Sequence, residues 1–385
     1  MEADARLRRF ADWSDIRSGL VSGSINGLRP FYSSTEAYGR MDEVRRAINQ
    51  IRTDWHRYEE FMQELRAVLS TAADEAAEQA VGAFDDADRR RMEALLSSRK
   101  AWLDGSTDRG DDFSAIQLYT SEDGYQRIYS VINAALRSDD LARDSIRLRA
   151  AAFLVELLTI DLYNYRLREP EADGYEGTVY RGMCVTPTEL ESFHQVVHGP
   201  IAERYVAIPL SMASATAVRD HALRFADEQA ARHPGSRPLV WEIDVHGLDP
   251  ELLGYYRAEY PSSVVTSICA VPIEKLSDYP EEREVLLRGA HLQLLAVAEQ
   301  RHVSGESAAL VVRAVMLNSN RDHLTAIASN EGADRDMRDL FRALILTHRA
   351  RLCAEYAHAH SAPHDAAEYE AVAAEQRAYI TSRLF

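Results

Sequence analysis

Cysteine is scarce in this chain of 385 residues. It has three, Cys184, Cys269 and Cys353, too far apart to match a zinc-site spacing or a disulfide framework. A reducing compartment is the simplest setting for them. Long apolar runs are missing as well. No stretch of about 18 apolar residues could span a bilayer, and the opening MEADARLRRFADWSD lacks the apolar centre of a signal peptide. The expectation is a soluble, cytoplasmic protein with no membrane partner, and leaderless delivery into another cell as an effector is compatible with it. Basic charge is also short: 44 Lys and Arg stand against 61 Asp and Glu, a net of −17. A nucleic-acid partner needs a basic face, so that class is excluded. His358, His360 and His364 lie close in sequence, but no cysteine or acidic set completes a site, and no metal is expected.

What is present divides into three regions. From Met41 to Leu69 apolar residues recur as Met41, Val44, Ile48, Ile51, Trp55, Tyr58, Met62, Leu65 and Leu69. That spacing of threes and fours is the seam of a long packed helix, with Ser33 and Glu36 as its capping box. A second helix, roughly Asp74 to Leu103, completes an antiparallel hairpin that packs on the rest or serves self-association or a regulatory partner. The polar stretch DGSTDRGDD, Asp104 to Asp112, marks a boundary. A helical stretch then runs to about Arg168, with Tyr125, Ile128, Ile132 and Leu136 on one face.

After Glu169-Pro170 the period changes to two. In LVWEIDV, Leu239, Trp241, Ile243 and Val245 share one face and Glu242 and Asp244 the other. GTVYRGM, YVAIPLS, SSVVTSICAVPI and EVLL read as further strands. From about Ser304 the pattern returns to helix, with a last helix after Pro363. The fold class is therefore α+β: a helical region over 1–110, a mixed core over 111–300, and a helical region over 301–385.

Three short elements in that core carry chemistry. VYRGM puts Arg181 in a strand, followed by Gly182. AIPLSMASAT puts Ser211 and Ser214 at a strand end, ahead of a helix containing HALRFA. In YPEEREVLL, Glu282 and Glu284 are two residues apart, so a strand beginning there would set both acids on one face. Like charges that close repel, which points to a solvated face or a site that handles a cation. Ser214 also suits the N-cap of the HALRFA helix.

These elements and their order, with LYTSEDGYQRIYSVINAALR upstream, resemble the arginine-serine-glutamate class of ADP-ribosyltransferases over about residues 113–300. The resemblance implies a mixed two-sheet core that splits NAD at the nicotinamide–ribose bond and passes ADP-ribose to a protein acceptor, arginine for the ExE form. It implies that Arg181 holds the phosphate and ribose side of NAD and that Gly182 lets the backbone approach the nicotinamide amide. Ser211 or Ser214 orients the ribose. The usual Ser-Thr-Ser reads Ser-Met-Ala-Ser here, which leaves the register open, and Ser211 is preferred because it directly follows the strand-like run. Glu284 offsets the charge developing on the ribose carbon, and Glu282 meets the incoming nucleophile. Tyr119 and Tyr125 fall in the segment set beside NAD, and Tyr279 in a substrate-facing turn. An NAD glycohydrolase on the same fold, and a binding module with a degenerate site, are the competing functions.

Overall fold

The computed structural model of the chain describes residues 57, 59–68, 113–121, 141–201, 204–207, 212–261, 264–301, 308–322 and 331–384. Most of the expected N-terminal hairpin, along with Ser211 and Tyr125, lies outside them. The chain divides into two compact units. One comprises Met1–Thr35, Asp173–Pro272 and Val285–Phe385, the other Glu36–Ala172 and Ile273–Glu284.

The first unit is built on a sheet of strands β1 (Gly177–Val185), β2 (Tyr205–Ala207), β3 (Met212–Thr216), β4 (Arg237–His246), β6 (Ala270–Pro272), β7 (Glu284–Arg288), β8 (His291–Arg301) and β9 (Ala308–Leu317). Their spatial order is β2-β8-β9-β4-β1-β3-β7-β6. Where the resemblance implies two sheets, hydrogen bonding joins these eight strands in one. Among the described residues, the antiparallel pair β5 (Val264–Thr266) and β10 (Asn320–Asp322) forms a second, small sheet. The sheet is mixed, because β4 and β9 run parallel whereas β1–β4 and β8–β9 are antiparallel.

Alternation in β4 follows the expectation. Leu239, Trp241, Ile243 and Val245 are fully buried in one cluster with Val179, Phe193, Leu292 and Val312. The Trp241 indole stacks edge-on against Phe193 at 5.5 Å and donates its N–H to the Met183 sulfur. On the other face, Asp244 accepts from the Thr178 hydroxyl and Glu242 pairs with Arg313. Truncating a fully buried tryptophan commonly costs about 3–5 kcal/mol, so this strand anchors the sheet.

Helix α3 (Pro187–Val197) begins with a capping box, Thr186 with Glu189, and Pro187 in its first turn. Its Phe193 closes the core cluster. Helix α4 (Arg219–Arg232) crosses β1 and β4 through Ala222, Leu223 and Ala226. Helices α5 (Pro250–Glu259), α6 (Glu331–Ala359) and α7 (Pro363–Leu384) form a second cluster around Tyr256, Phe341 and Leu344.

Two expectations need correction. The return to helix at about Ser304 comes too early, because β9 is the strand between β8 and β4. AALVVRAVML is apolar at nearly every position and buried on both faces, so it shows no period of two. SSVVTSICAVPI is also not one strand. Its two ends, β5 and β6, belong to different sheets.

In the second unit, helices α1 (Ser114–Thr120) and α2 (Leu141–Arg168) accompany helical residues 59–68. Met62 and Leu65, both on the expected seam, are buried together with Phe61. Phe61 meets Phe153 of α2 at 5.7 Å, and Arg149 pairs with Glu64. The buried carboxylate of Asp161 accepts the backbone N–H of Ala115 at the start of α1.

Candidate active site

Arg181 stands opposite Trp241 in the β1–β4 ladder and shares a strand face with Val179 and Met183, both members of the apolar core. A half-buried guanidinium on a core-facing position has to be hydrogen-bonded to persist there. Its Nη1 donates to the backbone carbonyl of Ser214 on β3. This is not the setting of an ordinary surface arginine.

Gly182 points to the opposite face, under α4. A Cβ placed there would lie 2.0 Å from the Ala222 carbonyl oxygen and 2.9 Å from the Ala226 nitrogen. Both are backbone atoms with no flexible side chain to move aside. The close approach of α4 therefore explains the glycine without any ligand.

Ser214 lies in the middle of β3 rather than at the cap of the HALRFA helix. That helix, α4, has Val218 at its N-cap and no side-chain cap. Thr216 instead accepts the Val218 N–H through its hydroxyl. By strand alternation, Ser214 shares its face with Thr216, opposite the core residues Ala213 and Ala215. Thr216 pairs with Tyr180, the neighbour of Arg181 on the other side of the strand. Arg181 thus uses the carbonyl of Ser214, while its hydroxyl belongs to the opposite face.

The two acids do not share a strand face. Pro280–Glu282 is a 3-10 turn, and Arg283 follows in the left-handed region at φ 46°, before β7 begins at Glu284. The left-handed residue cancels the alternation that equal spacing suggested. Glu284 is 8% exposed, whereas Glu282 is exposed on the turn. The carboxylate of Glu284 accepts from the Ser277 hydroxyl at 3.4 Å, and its carbonyl accepts the Ile273 N–H at 2.9 Å. Ser277 also accepts the Tyr279 N–H at 3.1 Å. Sequence reading misses Ser277, since a serine near a turn proline carries no distinctive signal.

The loop is held further by Lys275, which pairs with Glu169 at 2.7 Å and Glu171 at 3.3 Å. Both carboxylates raise the lysine's affinity for its proton. Tyr279 is 38% exposed on this loop. Tyr119 is buried on α1. Among the described residues no group of three His, Cys, Asp or Glu could hold a metal ion, and no helix is long and apolar enough to cross a membrane.

The sheet order sets β1, β3 and β7 side by side. The strand carrying Arg181 and the strand headed by Glu284 therefore flank the strand carrying Ser214.

No family model and no curated protein matches the chain. Solved structures to which it is similar include the Vis toxin, an ADP-ribosyltransferase from Vibrio splendidus, at 16% identity and a TM-score of 0.34 over 59% of this chain and 85% of that one. The type III effector XopAI from Xanthomonas axonopodis pv. citri aligns at 15% identity and a TM-score of 0.33, over 71% of this chain and 92% of its own. An ADP-ribosyltransferase from Clostridium botulinum aligns at 12% identity and a TM-score of 0.31, over 59% of this chain and 95% of its own. Likeness this low establishes neither activity nor substrate.

Proposed function

We propose that the chain is an NAD-dependent mono-ADP-ribosyltransferase whose acceptor is an arginine side chain of another protein. The observation that supports this most is the contrast between two acids two residues apart: Glu284 is buried at the head of β7, and Glu282 is exposed on the turn before it. Breaking the nicotinamide–ribose bond leaves positive charge on the ribose carbon. A carboxylate removed from water stabilises such charge more strongly than a solvated one, and Glu284 takes that part. An exposed carboxylate suits the opposite task of meeting a solvated guanidinium, which it matches in charge and geometry, and taking its proton. Glu282 takes that part.

The remaining residues fit a dinucleotide co-substrate. Arg181 is a fork of donors suited to phosphate oxygens, on a strand one removed from β7 in the sheet. Ser211, three residues ahead of Ser214 and one before β3, is assigned the ribose contact because Ser214 belongs to the other face. Gly182 serves packing first, and any approach to the nicotinamide amide would use its backbone. Tyr279 meets the target protein.

The reading is tested by incubating the full chain with NAD labelled in its adenylate and with polyarginine or polylysine. Free nicotinamide and label on polyarginine alone are the expected result. Equal labelling of polylysine would remove the arginine assignment. Absence of nicotinamide release would remove the transferase.

A further inference from the structure

We propose that Ser277 is a positioning residue that couples the loop before β7 to the carboxylate of Glu284. This rests on the role proposed above for Glu284. A serine hydroxyl has one donor and two acceptor positions. At Ser277 an acceptor position is taken by the Tyr279 N–H at 3.1 Å, and a backbone N–H can only donate. The hydroxyl hydrogen is then directed to the other partner in reach, Oε2 of Glu284 at 3.4 Å. The direction of the chain is thereby fixed: Tyr279 N–H to Ser277, Ser277 O–H to Glu284.

The backbone around this chain is pinned on both sides. The Ser277 N–H donates to the Ile273 carbonyl at 3.1 Å, and the Ile273 N–H donates to the Glu284 carbonyl at 2.9 Å. Ser277 therefore cannot shift without disturbing either the turn that presents Tyr279 or the residue that heads β7. The contact to Oε2 is long in the free protein. Hydrogen bonds of this kind tighten when charge develops at the reacting centre. A target protein that seats the exposed Tyr279 would steady its N–H and, through the hydroxyl, the carboxylate that faces the sugar. In this arrangement the loop sets how fast the first bond breaks as well as which protein is met.

The test compares wild type, Ser277→Ala, Ser277→Thr and Glu284→Gln, each as full chain, by steady-state release of nicotinamide from NAD alone. Ser277→Ala is expected to lower kcat roughly 10–100-fold, the scale of one hydrogen bond to a charged group, with KM for NAD changed by no more than about threefold, since the lost contact acts in the transition state. Ser277→Thr, which restores the hydroxyl, should recover most of the rate. Should Ser277→Ala fail to fold, Ser277→Cys, nearly the same size and a weak donor, carries the same expectation. A role confined to the Tyr279 turn would raise KM for the acceptor and leave release from NAD alone at the wild-type rate, and that result would overturn the relay. So would a threonine variant as slow as the alanine one. If Glu284→Gln is inactive while Ser277→Ala is normal, only the relay falls. If Glu284→Gln is itself normal, the proposed function falls and takes the relay with it.

Discussion

Strand β1 is held by packing, whereas the loop ahead of β7 is held by a few polar contacts. β1 pairs with β4 along its whole length, from Gly177 with Val245 to Val185 with Arg237. The backbone of α4 fills the space where a side chain at Gly182 would go. The loop has Ser277 bridging Tyr279 and Glu284, Lys275 pairing with two glutamates, and a left-handed Arg283 before the strand. On the function proposed above, Arg181 would grip an invariant dinucleotide, a task that suits the first kind of structure. Residues that must adjust to a protein surface belong on the second.

The sharpest way to break that contrast is at its two acids. Glu284→Gln should lower NAD hydrolysis and ADP-ribose transfer together, on the order of 10²–10³, the usual loss when one electrostatic contact to the transition state is removed. Glu282→Gln should lower transfer about a hundredfold, within the range for a lost proton acceptor, yet keep slow hydrolysis, because water needs less positioning. Free nicotinamide and protein-bound label, read from one reaction, separate the two. Equal loss of both activities in Glu282→Gln would merge the roles and favour the glycohydrolase.

The packed region should fail differently. Gly182→Ala forces a backbone shift in β1 or α4 and should destabilise by about 2 kcal/mol, in the range of overpacked cores. Denaturant unfolding measures this directly, and an unchanged midpoint would mean that α4 can move away at little cost.

Acid should loosen the same unit from another side. The Nδ1 of His348 accepts the Asp249 N–H at 2.8 Å, and the Nδ1 of His291 accepts from Arg349. Both contacts need an unprotonated nitrogen. Burial lowers the pKa of both imidazoles. Arg349 adds to the effect at His291, whereas at His348 Asp249 opposes it, Arg351 and His246 reinforce it, and Glu176 opposes it. A histidine whose folded pKa lies below its unfolded value of about 6.5 contributes stability that is complete above that pH and is lost as the pH falls from there through the lower folded pKa. Melting temperatures at pH 7.5 and 5.5 should therefore differ, with the acid value lower. The smallest effect is expected at Ser214→Ala. The residue caps no helix, and its backbone carbonyl, the group Arg181 uses, survives the substitution. The change in stability should stay within about 0.5 kcal/mol, and a clearly larger one would return the hydroxyl to a structural role.

These residues also mark how far the sequence can be read. β4 is legible because one face meets the core and the other meets Thr178 and Arg313, which writes the period of two into its letters. β9 is not, because burial on both faces erases that period. The acids at 282 and 284 stand out by their chemistry, but their spacing misleads about their geometry. Equal spacing implies a shared face only in regular backbone, and nothing about an arginine announces a left-handed turn. HALRFA reads as a helix, while its start does not, since Ser214 looks like a cap and Val218 does not. Ser277 lies outside any motif, and only the fold of the loop gives it a partner.

The place of β9 has a consequence for the order in which the molecule can be made. Counting from β4, the ribosome must add more than seventy residues before Leu317 appears, yet that strand is the one that joins β8 to β4. In the strand order of the finished sheet, removing β9 leaves two pieces, β2 with β8 and β4-β1-β3-β7-β6, each with a bare edge where β9 belongs. A chain interrupted near residue 300 would contain every residue to which the proposed chemistry is assigned and still lack the seam that makes one sheet of them. Such a fragment should aggregate through those edges instead of folding. A cell producing this protein would be shielded from any activity of its own nascent chains until β9 has left the ribosome.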